Sequence, residues 1–592
     1  MDFYTINFVV ALIAALAIVF LCVRSKKRRI VGFVFVSLVD FGLFYNLDYR
    51  WLSGVSPIVG CYAGAVFVAV FFVFLSSYKR ILINQETAQP HRFSLILLFF
   101  SQYILFLYTR LIPWAIDTFP LSNVDAVLFT VFSGENEGAE DFVISNFIDS
   151  VLIPSFPLYA FIIVLQILTA FILFKRKFFV EFNLKRIKFI LVSKNLIGYI
   201  IKLQKCTAVF LLIVCFILSS ILPKIILSAC FEVLFERPVD SELYKMHFVP
   251  PPDSIEINQS GKTKNLIVIL MESMETNFSR YTPEISGLER ENTNFVPGGV
   301  SVAGTSWTMG AITSKLCGIP LNMPMKMNEY NGKFPSYVPN ARCLSDILSD
   351  KGYEQVFIQG SNGNFTQMRD FCSTHGNIIL HDLTYFKSKG KIPSRYHVFW
   401  GMEDRKVYNY AKEDLDSLSK INFPFAYFIS TMDTHQPEGF LDEICSKEIE
   451  GVEDLFPKVL RCASKQLGDF LIWTKQQPWY ENTVISVMGD HTMPVLSAKA
   501  GVSPSDSLYW TNFIINSAVT TPVRERQYSS LDMFPTLLES MGFNLKNRSA
   551  GLGRSLYSDS LTMLELYGRK TLDSLLRERS IQYDKFLMKK SE

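Results

Sequence analysis

The chain has 592 residues, and its 58 Lys and Arg residues nearly balance 55 Asp and Glu residues, which gives a formal net charge of +3. This small excess does not predict nucleic-acid binding, because the surplus basic residues lie between hydrophobic segments. The 51 Phe residues and the 49% hydrophobic content are typical of a membrane protein. Composition changes near residue 230, from apolar with basic clusters to mixed. The sequence therefore predicts a membrane half followed by an extramembrane half.

Six apolar segments in the first half are long enough to be transmembrane helices. They are residues 5–23, 30–47, 55–77, 93–113, 151–174 and 207–229, which together define a membrane domain over residues 1–229. Basic loops alternate with neutral or acidic ones, and the positive-inside rule then puts the amino terminus and residues 230–592 outside the cytoplasm. Because Asp40 interrupts the second segment, five spans remain an alternative, with the amino terminus inside.

Four further segments complete the description: the connector between the last two predicted spans and three parts after residue 229. The basic connector 176–206 carries aromatic residues among its lysines and predicts an amphipathic helix on an anionic membrane surface, with a solvated loop as the alternative. Residues 230–262 are a predicted linker, and residues 263–560 a globular domain. Residues 561–592, rich in Leu and charge, predict a helical tail that packs on the domain or on the membrane surface.

Four short apolar runs in the globular domain predict buried strands. They are residues 266–271, 354–359, 426–431 and 483–488, and helical segments lie between them. Continuous apolar runs of this length are typical of strands covered on both faces. The alternation predicts an α/β domain with a largely parallel central sheet.

Polar side chains follow two of these strands directly. Glu272 ends the first run, and Asp490 with His491 follows the last run after a glycine. The carboxyl ends of parallel strands are where open α/β sheets hold ligands. A hydroxyl between a glycine-containing loop and a helix, as at Thr305, lies where anions bind. Glu, Thr, Asp and His together are the ligands for a divalent metal that activates a hydroxyl nucleophile.

Alternatives remain open for two of these assignments. Thr308 is also a hydroxyl residue, three positions after Thr305, and Ser306 is a weaker third choice for the nucleophile. Thr305 could instead cap the following helix, which is the commoner role for Thr in such a place. Glu275 competes with Glu272 as the strand-end carboxylate.

Several motifs occur in one order over about residues 260 to 560. They are Gly304-Thr305-Ser306-Trp307-Thr308, Cys317-Gly318-Ile319-Pro320-Leu321, Cys343 to Leu348, Asp433-Thr434-His435-Gln436-Pro437, Asp490-His491 and Gly551-Leu552-Gly553-Arg554-Ser555. With these motifs the chain resembles the alkaline phosphatase/sulfatase superfamily, in its membrane-anchored branch of phosphoglycerol transferases and lipoteichoic acid synthases. The resemblance implies an α-helical membrane domain followed by an alkaline phosphatase/sulfatase-like α/β domain.

The resemblance also implies a reaction and a location. It implies a multi-pass protein of the bacterial inner (cytoplasmic) membrane, with its catalytic domain on the periplasmic or extracellular side. The implied reaction transfers phosphoglycerol from phosphatidylglycerol to a periplasmic or surface glycan through a phospho-threonine intermediate on Thr305. Alternatives are a phosphoethanolamine transferase acting on lipid A or a glycan, a metal-dependent hydrolase (sulfatase or phosphodiesterase), and a non-catalytic membrane scaffold. A sulfatase would need a Cys/Ser-x-Pro-x-Arg motif near residue 305, which the sequence lacks.

The residue roles implied are specific. The metal ligands are Glu272, Thr305, Asp490 and His491, and one nitrogen with three oxygens favours manganese, with zinc and magnesium as alternatives. His435 would bind the phosphate or protonate the leaving group.

Two further residues are predicted to bind substrate. Arg369 would clamp a phosphate bidentately. Trp307, together with Trp400, would shape the head-group pocket, although Trp is more usually a core or interface residue.

The resemblance implies disulfides Cys317–Cys343 and Cys445–Cys462, which leaves Cys372 as the odd cysteine of the outer domain.

Overall fold

The computed structural model describes residues 239–585 except 252–255, 258–263, 323–336, 365–366, 437, 449–451, 502–508 and 520–524, together with 78–81, 179–184, 187–191 and a few isolated positions. The six predicted spans lie outside the described residues, apart from those isolated positions. Within the described residues, no helix combines the length and the apolar character needed to cross a bilayer. The chain forms two compact units, of which the second includes Pro223–Glu592.

Three short strands of the first unit form an antiparallel sheet. They are β1 (Tyr78–Ile81), β2 (Phe179–Leu184) and β3 (Ile187–Leu191), paired in that order. Strands β2 and β3 lie within residues 176–206, where the sequence predicts an amphipathic helix. That prediction is therefore wrong for the residues of these two strands. Aromatic and β-branched residues favour extended backbone, and they recur through this segment between the lysines.

The second unit alternates strands and helices. In chain order the elements are α1 (Glu242–His247), β4 (Glu256–Ile257), β5 (Asn265–Met271), α2 (Pro283–Glu291), β6 (Thr293–Asn294), α3 (Thr308–Cys317), α4 (Leu344–Asp350), β7 (Glu354–Gln359), α5 (Met368–Thr374), β8 (Ile379–His381), α6 (Leu383–Ser388), α7 (Asp404–Leu418), β9 (Phe425–Ser430), α8 (Glu443–Glu448), α9 (Leu455–Lys475), β10 (Thr483–Gly489), α10 (Pro494–Lys499), β11 (Asn512–Ile515), α11 (Met533–Ser540), β12 (Phe543–Asn544), β13 (Ser549–Ala550), β14 (Gly553–Arg554), α12 (Met563–Arg577) and α13 (Ile581–Tyr583).

The central sheet has seven strands in the order β6-β11-β10-β5-β9-β7-β8. Strands β10, β5, β9, β7 and β8 are mutually parallel, whereas β11 pairs antiparallel with β10 on one side and with β6 on the other. The predicted, largely parallel α/β sheet is therefore confirmed. The four predicted strands correspond to β5, β7, β9 and β10.

The core lies on both faces of this sheet. Along β5, Leu266, Val268 and Leu270 belong to one buried cluster, and Ile267 and Ile269 belong to the other. Successive side chains of a strand point to opposite faces, so a run that is apolar throughout fits a strand covered on both sides.

The carboxyl-terminal helices pack on the domain, which was one of the two predicted placements. Tyr583 donates a hydrogen bond to the Pro320 carbonyl at 3.1 Å. Asp573 of α12 accepts one from the Ala303 amide at 2.8 Å. The tail therefore touches both loops that flank α3.

Both predicted disulfides are present. Cys317 and Cys343 are bonded with their Cα atoms 4.1 Å apart, and Cys445 and Cys462 are bonded with theirs 5.6 Å apart. Cys372 is a buried free thiol. The first bridge ties the end of α3 to the start of α4.

Candidate metal centre and nucleophile

Glu272 leaves strand β5 at its carboxyl end, in the middle of the sheet, and its side chain is buried. Its amide donates a hydrogen bond to the Thr431 hydroxyl at 3.0 Å, and its carbonyl accepts one from the Thr434 hydroxyl at 2.5 Å. Those two threonines follow the neighbouring strand β9. The loop after β9 thus fixes the backbone from which Glu272 reaches into the site.

Asp490 and His491 leave β10 beside Glu272, because β10 pairs with β5 in parallel register from Thr483 to Gly489. A Cβ on Gly489 would lie 2.1 Å from the Met274 carbonyl oxygen, so only glycine fits where the two strand ends approach. Asp490 Oδ1 accepts hydrogen bonds from the amides of Ser273 and His491, at 2.8 and 2.7 Å.

The three side chains converge on one point. One ligand atom from each of Glu272, Asp490 and His491 lies within 4.8 Å of the others, and all three residues are buried. His491 Nε2 is 3.6 Å from Glu272 Oε1 and 3.5 Å from Asp490 Oδ2. These three side chains converge as predicted, and their role as metal ligands stays a prediction.

This cluster fits a cation. Burial first, and the nearby Asp490 second, raise the pKa of Glu272 to about 8. Asp490 Oδ2 is buried and accepts no hydrogen bond. Two converging carboxylates with an unsatisfied buried oxygen are costly unless a positive charge lies between them. Carboxylate oxygens with an imidazole nitrogen suit manganese and zinc, and the residues do not distinguish the two.

The hydroxyl that reaches this cluster belongs to Thr308 rather than Thr305. Thr308 is half-buried, is the first residue of α3, and its Oγ1 donates a hydrogen bond to Glu272 Oε2 at 3.3 Å. The Thr305 side chain is fully buried, and its hydroxyl accepts from the Val302 amide at 2.9 Å and donates to the Val302 carbonyl at 3.0 Å. Thr308, the alternative, is thus the hydroxyl that contacts Glu272 in this structure, and the assignment of Thr305 as the fourth ligand stays a prediction.

The Thr305 side chain makes local hydrogen bonds to the backbone of its own loop. This side chain closes a turn with Val302, while Gly304 adopts a positive φ of 75°. A hydroxyl that satisfies a local backbone amide and carbonyl stabilises the loop. This loop brings the amino terminus of α3, where anions are favoured, to the end of β5.

Glu275, the rival of Glu272, points elsewhere. Its carboxylate accepts hydrogen bonds from the Met493 amide at 2.8 Å and from the Ser497 hydroxyl at 2.7 and 2.9 Å. Glu275 therefore anchors the segment that follows the Asp490-His491 pair.

His435 lies near this cluster. Its ring is 4.5 Å from the Trp400 ring, centroid to centroid, and Nδ1 is 2.8 Å from the Gln436 carbonyl oxygen. A carbonyl only accepts, so Nδ1 carries the hydrogen and Nε2 carries the lone pair when the ring is neutral. Burial lowers the pKa of His435, and Asp490 opposes that shift.

Two predicted substrate-binding residues have other partners. Arg369 pairs with the buried Asp382 at 2.6 Å and also donates to Asn364 Oδ1 at 2.7 Å, which are contacts of a structural arginine. Trp307 belongs to the core, where it packs against Gly310 of α3. The recorded partners of Arg369 are therefore Asp382 and Asn364, and the substrate-binding roles of Arg369 and Trp307 stay predictions.

Two residues around the site were not predicted. Ser273 has a positive φ of 48°, and its hydroxyl donates to Glu272 Oε1 at 2.6 Å. Lys315 is fully buried on α3, and its Nζ donates to the Asp490 carbonyl at 2.8 Å. A lysine seven residues after Thr308 lies on the same helix face, and this spacing was the available signal.

A second group of potential ligands is Cys343, Asp346 and His375. The Cys343 sulfur is bonded to Cys317, and His375 Nδ1 is 3.0 Å from Asp346 Oδ2. The disulfide removes the thiolate that a metal would need, so this group is structural.

A buried constellation of two carboxylates, an imidazole and a helix-terminal hydroxyl, on a mostly parallel sheet, has the groups that metal-dependent ester cleavage or transfer would require. Comparison with known families agrees. Residues 264–543 match the model of the sulfatase family.

Curated relatives give a more particular likeness. The chain is similar to a protein named phosphoglycerol transferase I from Xanthomonas campestris pv. campestris, at 29% identity over 334 residues, which cover 55% of this chain and 46% of the relative. A protein of the same name from Citrobacter koseri is 32% identical over 236 residues, covering 38% of this chain and 30% of the relative. The chain spans less than half the length of these relatives.

Two solved structures are also similar. The lipoteichoic acid synthase LtaP from Listeria monocytogenes is 18% identical with a TM-score of 0.41, covering 51% of this chain and 78% of that chain. The carboxyl-terminal periplasmic domain of EcEptC from Escherichia coli, in complex with Zn, is 12% identical with a TM-score of 0.37, covering 53% of this chain and 92% of that chain.

Proposed function

We propose that this protein transfers phosphoglycerol from phosphatidylglycerol to an extracytoplasmic glycan, through a covalent intermediate on Thr308. The observation that carries this proposal is the Thr308 hydroxyl, at the first position of α3, donating to Glu272 within the Glu272–Asp490–His491 cluster. The transferred group, phosphoglycerol, follows the name of the curated relatives. The six predicted spans support a membrane location, where the lipid donor is concentrated.

The residues Glu272, Thr308, Asp490 and His491 would hold a divalent metal. Such an ion supplies positive charge for the phosphoryl oxygens and lowers the pKa of a hydroxyl beside it. The amino terminus of α3 adds backbone N–H groups and a positive partial charge on the same side. Glu272 Oε2 orients the Thr308 hydroxyl by accepting its hydrogen bond.

The reaction has two steps. In the first step a bond forms between Thr308 Oγ1 and phosphorus, the phosphorus–oxygen bond to diacylglycerol breaks, and the proton lost by Thr308 ends on the released diacylglycerol. In the second step the acceptor oxygen bonds to phosphorus, the Thr308 ester breaks, and the acceptor proton returns to Thr308. His435 Nε2 carries the proton, because Nδ1 is engaged by the Gln436 carbonyl.

The test is intact-protein mass spectrometry after incubation with phosphatidylglycerol and without acceptor. Wild type should gain a phosphoglycerol mass on Thr308, and Thr308→Ala should neither gain mass nor release diacylglycerol. Thr305→Ala is the matched control: it loses the bonds to Val302, at about 1–3 kcal/mol of stability, but keeps the adduct.

Three results would change the proposal. An adduct on Thr305 would restore the first assignment of the nucleophile. An adduct from phosphatidylethanolamine alone would change the donor. Release of diacylglycerol that does not depend on Thr308 would contradict a covalent mechanism at this residue.

A further inference from the structure

Lys315 is a fully buried lysine in the second unit, and no step of the proposed reaction uses it. Its Nζ donates to the Asp490 carbonyl at 2.8 Å and to the Ser530 hydroxyl at 3.3 Å. The ammonium also lies 3.8 Å from the centroid of the Trp510 ring. Burying a lysine is expensive, and these three contacts offset part of that cost.

The position of Lys315 links two parts of the site. Thr308 and Lys315 are seven residues apart on α3, so they lie two turns apart on one face. The carbonyl that Lys315 binds belongs to the residue whose carboxylate holds the cluster together, at the point where the chain leaves β10. Lys315 is thus a direct contact between the helix that carries the hydroxyl and the turn that carries Asp490 and His491.

We propose that Lys315 is a positioning residue that fixes the Asp490–His491 turn against α3 and so sets the affinity of the site for its metal. Asp490 Oδ1 is held by two amides, whereas its Oδ2 accepts no hydrogen bond and stays directed into the cluster. Without the Lys315 contact the Asp490 peptide group can rotate, and that rotation moves Oδ2 relative to His491. Outer-shell partners of metal ligands typically contribute about 10- to 100-fold in affinity.

The alternative is that Lys315 only packs in the core against the Trp510 ring. This role predicts that a variant loses stability without a change in metal affinity. The two roles therefore differ in a measurement that does not depend on turnover. The inference rests on the metal-holding part of the proposed function, and wild-type binding tests that part separately.

The experiment measures Zn²⁺ and Mn²⁺ affinity of the full chain in detergent by chelator competition, with circular dichroism and thermal melts of the metal-free protein as a folding check. Lys315→Met should fold and bind Zn²⁺ about 10- to 100-fold more weakly. Ser530→Ala removes the hydroxyl partner of Nζ but leaves the Asp490 carbonyl contact, and it should bind within about threefold of wild type. Turnover of Lys315→Met at saturating metal should recover toward wild type.

Several outcomes would overturn the proposal. If Lys315→Met bound metal as tightly as wild type, Lys315 would have only a packing role in the core. The same conclusion would follow if Ser530→Ala lost as much metal affinity as Lys315→Met. If Lys315→Met does not fold, Lys315→Gln, which keeps a shorter donor, takes its place with the same expected weakening. Failure of both variants to fold would assign Lys315 to the core. No metal binding by wild type would instead contradict the proposed function.

Discussion

Two buried carboxylate pairs lie at the same edge of the central sheet, and they differ in what surrounds them. The first pair is Glu272 and Asp490, after β5 and β10. The second is Asp404, at the start of α7, and Asp433, after β9. Both are buried, and each pair contains one oxygen without a hydrogen bond, on Asp490 and on Asp433.

The second pair is bound by the backbone. Asp404 accepts hydrogen bonds from the amides of Met432 and Asp433, at 2.7 and 3.1 Å, and Asp433 accepts one from the Asp404 amide at 3.2 Å. In the first pair, hydroxyls contact Glu272 and an imidazole lies 3.5–3.6 Å from both carboxylates. Burial of two acids is therefore not enough to mark a metal site. The added nitrogen and the accessible hydroxyl make the difference.

The largest expected effect comes from exchanging one acid of each pair for its amide. Asp490→Asn should weaken Zn²⁺ and Mn²⁺ binding by more than about 100-fold, beyond the range of outer-shell changes, and reduce transfer to background. Asp404→Asn should leave metal affinity within about threefold, while one amide loses its acceptor at about 1–3 kcal/mol. Thermal melts with and without metal separate the two: metal should raise the Tm of Asp404→Asn but not of Asp490→Asn. A metal-induced shift in Asp490→Asn would remove the distinction between the pairs.

The second prediction concerns the pH dependence of stability. Burial raises the pKa of Asp404 from 3.8 to about 7, and burial with the charge of Asp404 raises that of Asp433. A raised carboxyl pKa means that the folded state holds protons that the unfolded state has released. Unfolding free energy should therefore fall as pH rises from about 4 to 7, by at least about 1.4 kcal/mol, the equivalent of one pKa unit.

Asp433→Asn isolates that effect. The amide removes one negative charge and so removes its repulsion of the Asp404 carboxylate. The unfolding free energy of the variant should therefore depend less on pH, and its excess over the wild-type value should grow from pH 4 to pH 7. Glu272 and Glu275 also have raised pKa values, but they remain in both proteins and cancel in the difference. The check is denaturant unfolding of both metal-free proteins across this pH range. If the unfolding free energies of wild type and Asp433→Asn changed in parallel with pH, the raised pKa values of Asp404 and Asp433 would be contradicted.

The smallest expected effect is at Tyr408, which lies close enough to Asp404 and Asp433 to feel their charges. The Tyr408 hydroxyl is buried and has no hydrogen-bond partner. Tyr408→Phe should leave the unfolding free energy unchanged or raise it by up to about 1 kcal/mol, since no hydrogen bond is lost. The matched control is Tyr528→Phe. The Tyr528 hydroxyl donates to the Phe295 carbonyl at 3.0 Å and accepts from Asn512 at 3.2 Å, so that variant should lose about 1–3 kcal/mol. Equal losses would indicate that Tyr408 has a partner in solution.

The strand-end residues were predictable, because a buried run and its last residue can be located from the sequence alone. Glu272, Asp490 and His491 follow from this reasoning, and the parallel register of β5 with β10 brings them together. The contact between the Thr308 hydroxyl and Glu272 was not predicted, because the fold of one loop decides whether Thr305 or Thr308 faces the cluster. Counting back from Gly318, where the helix ends, by a typical helix length would have favoured Thr308.

Contacts between side chains of different elements could not be predicted from the sequence alone. The pairing of Arg369 with Asp382 depends on how α5 and the end of β8 meet. The antiparallel strand β11 has four residues, too few to show a pattern. The disulfides followed from the resemblance and not from spacing, since connectivity is not encoded locally.

The parallel pairing of β5 with both β10 and β9 has a consequence for amide hydrogen exchange. Its backbone is hydrogen-bonded on both sides along almost its whole length, and neighbouring residues are buried on both faces. Such strands open only when the domain unfolds, and their amides exchange last. Glu272 is attached directly to this slowest-exchanging segment, so the metal-binding geometry should persist under heating until global unfolding.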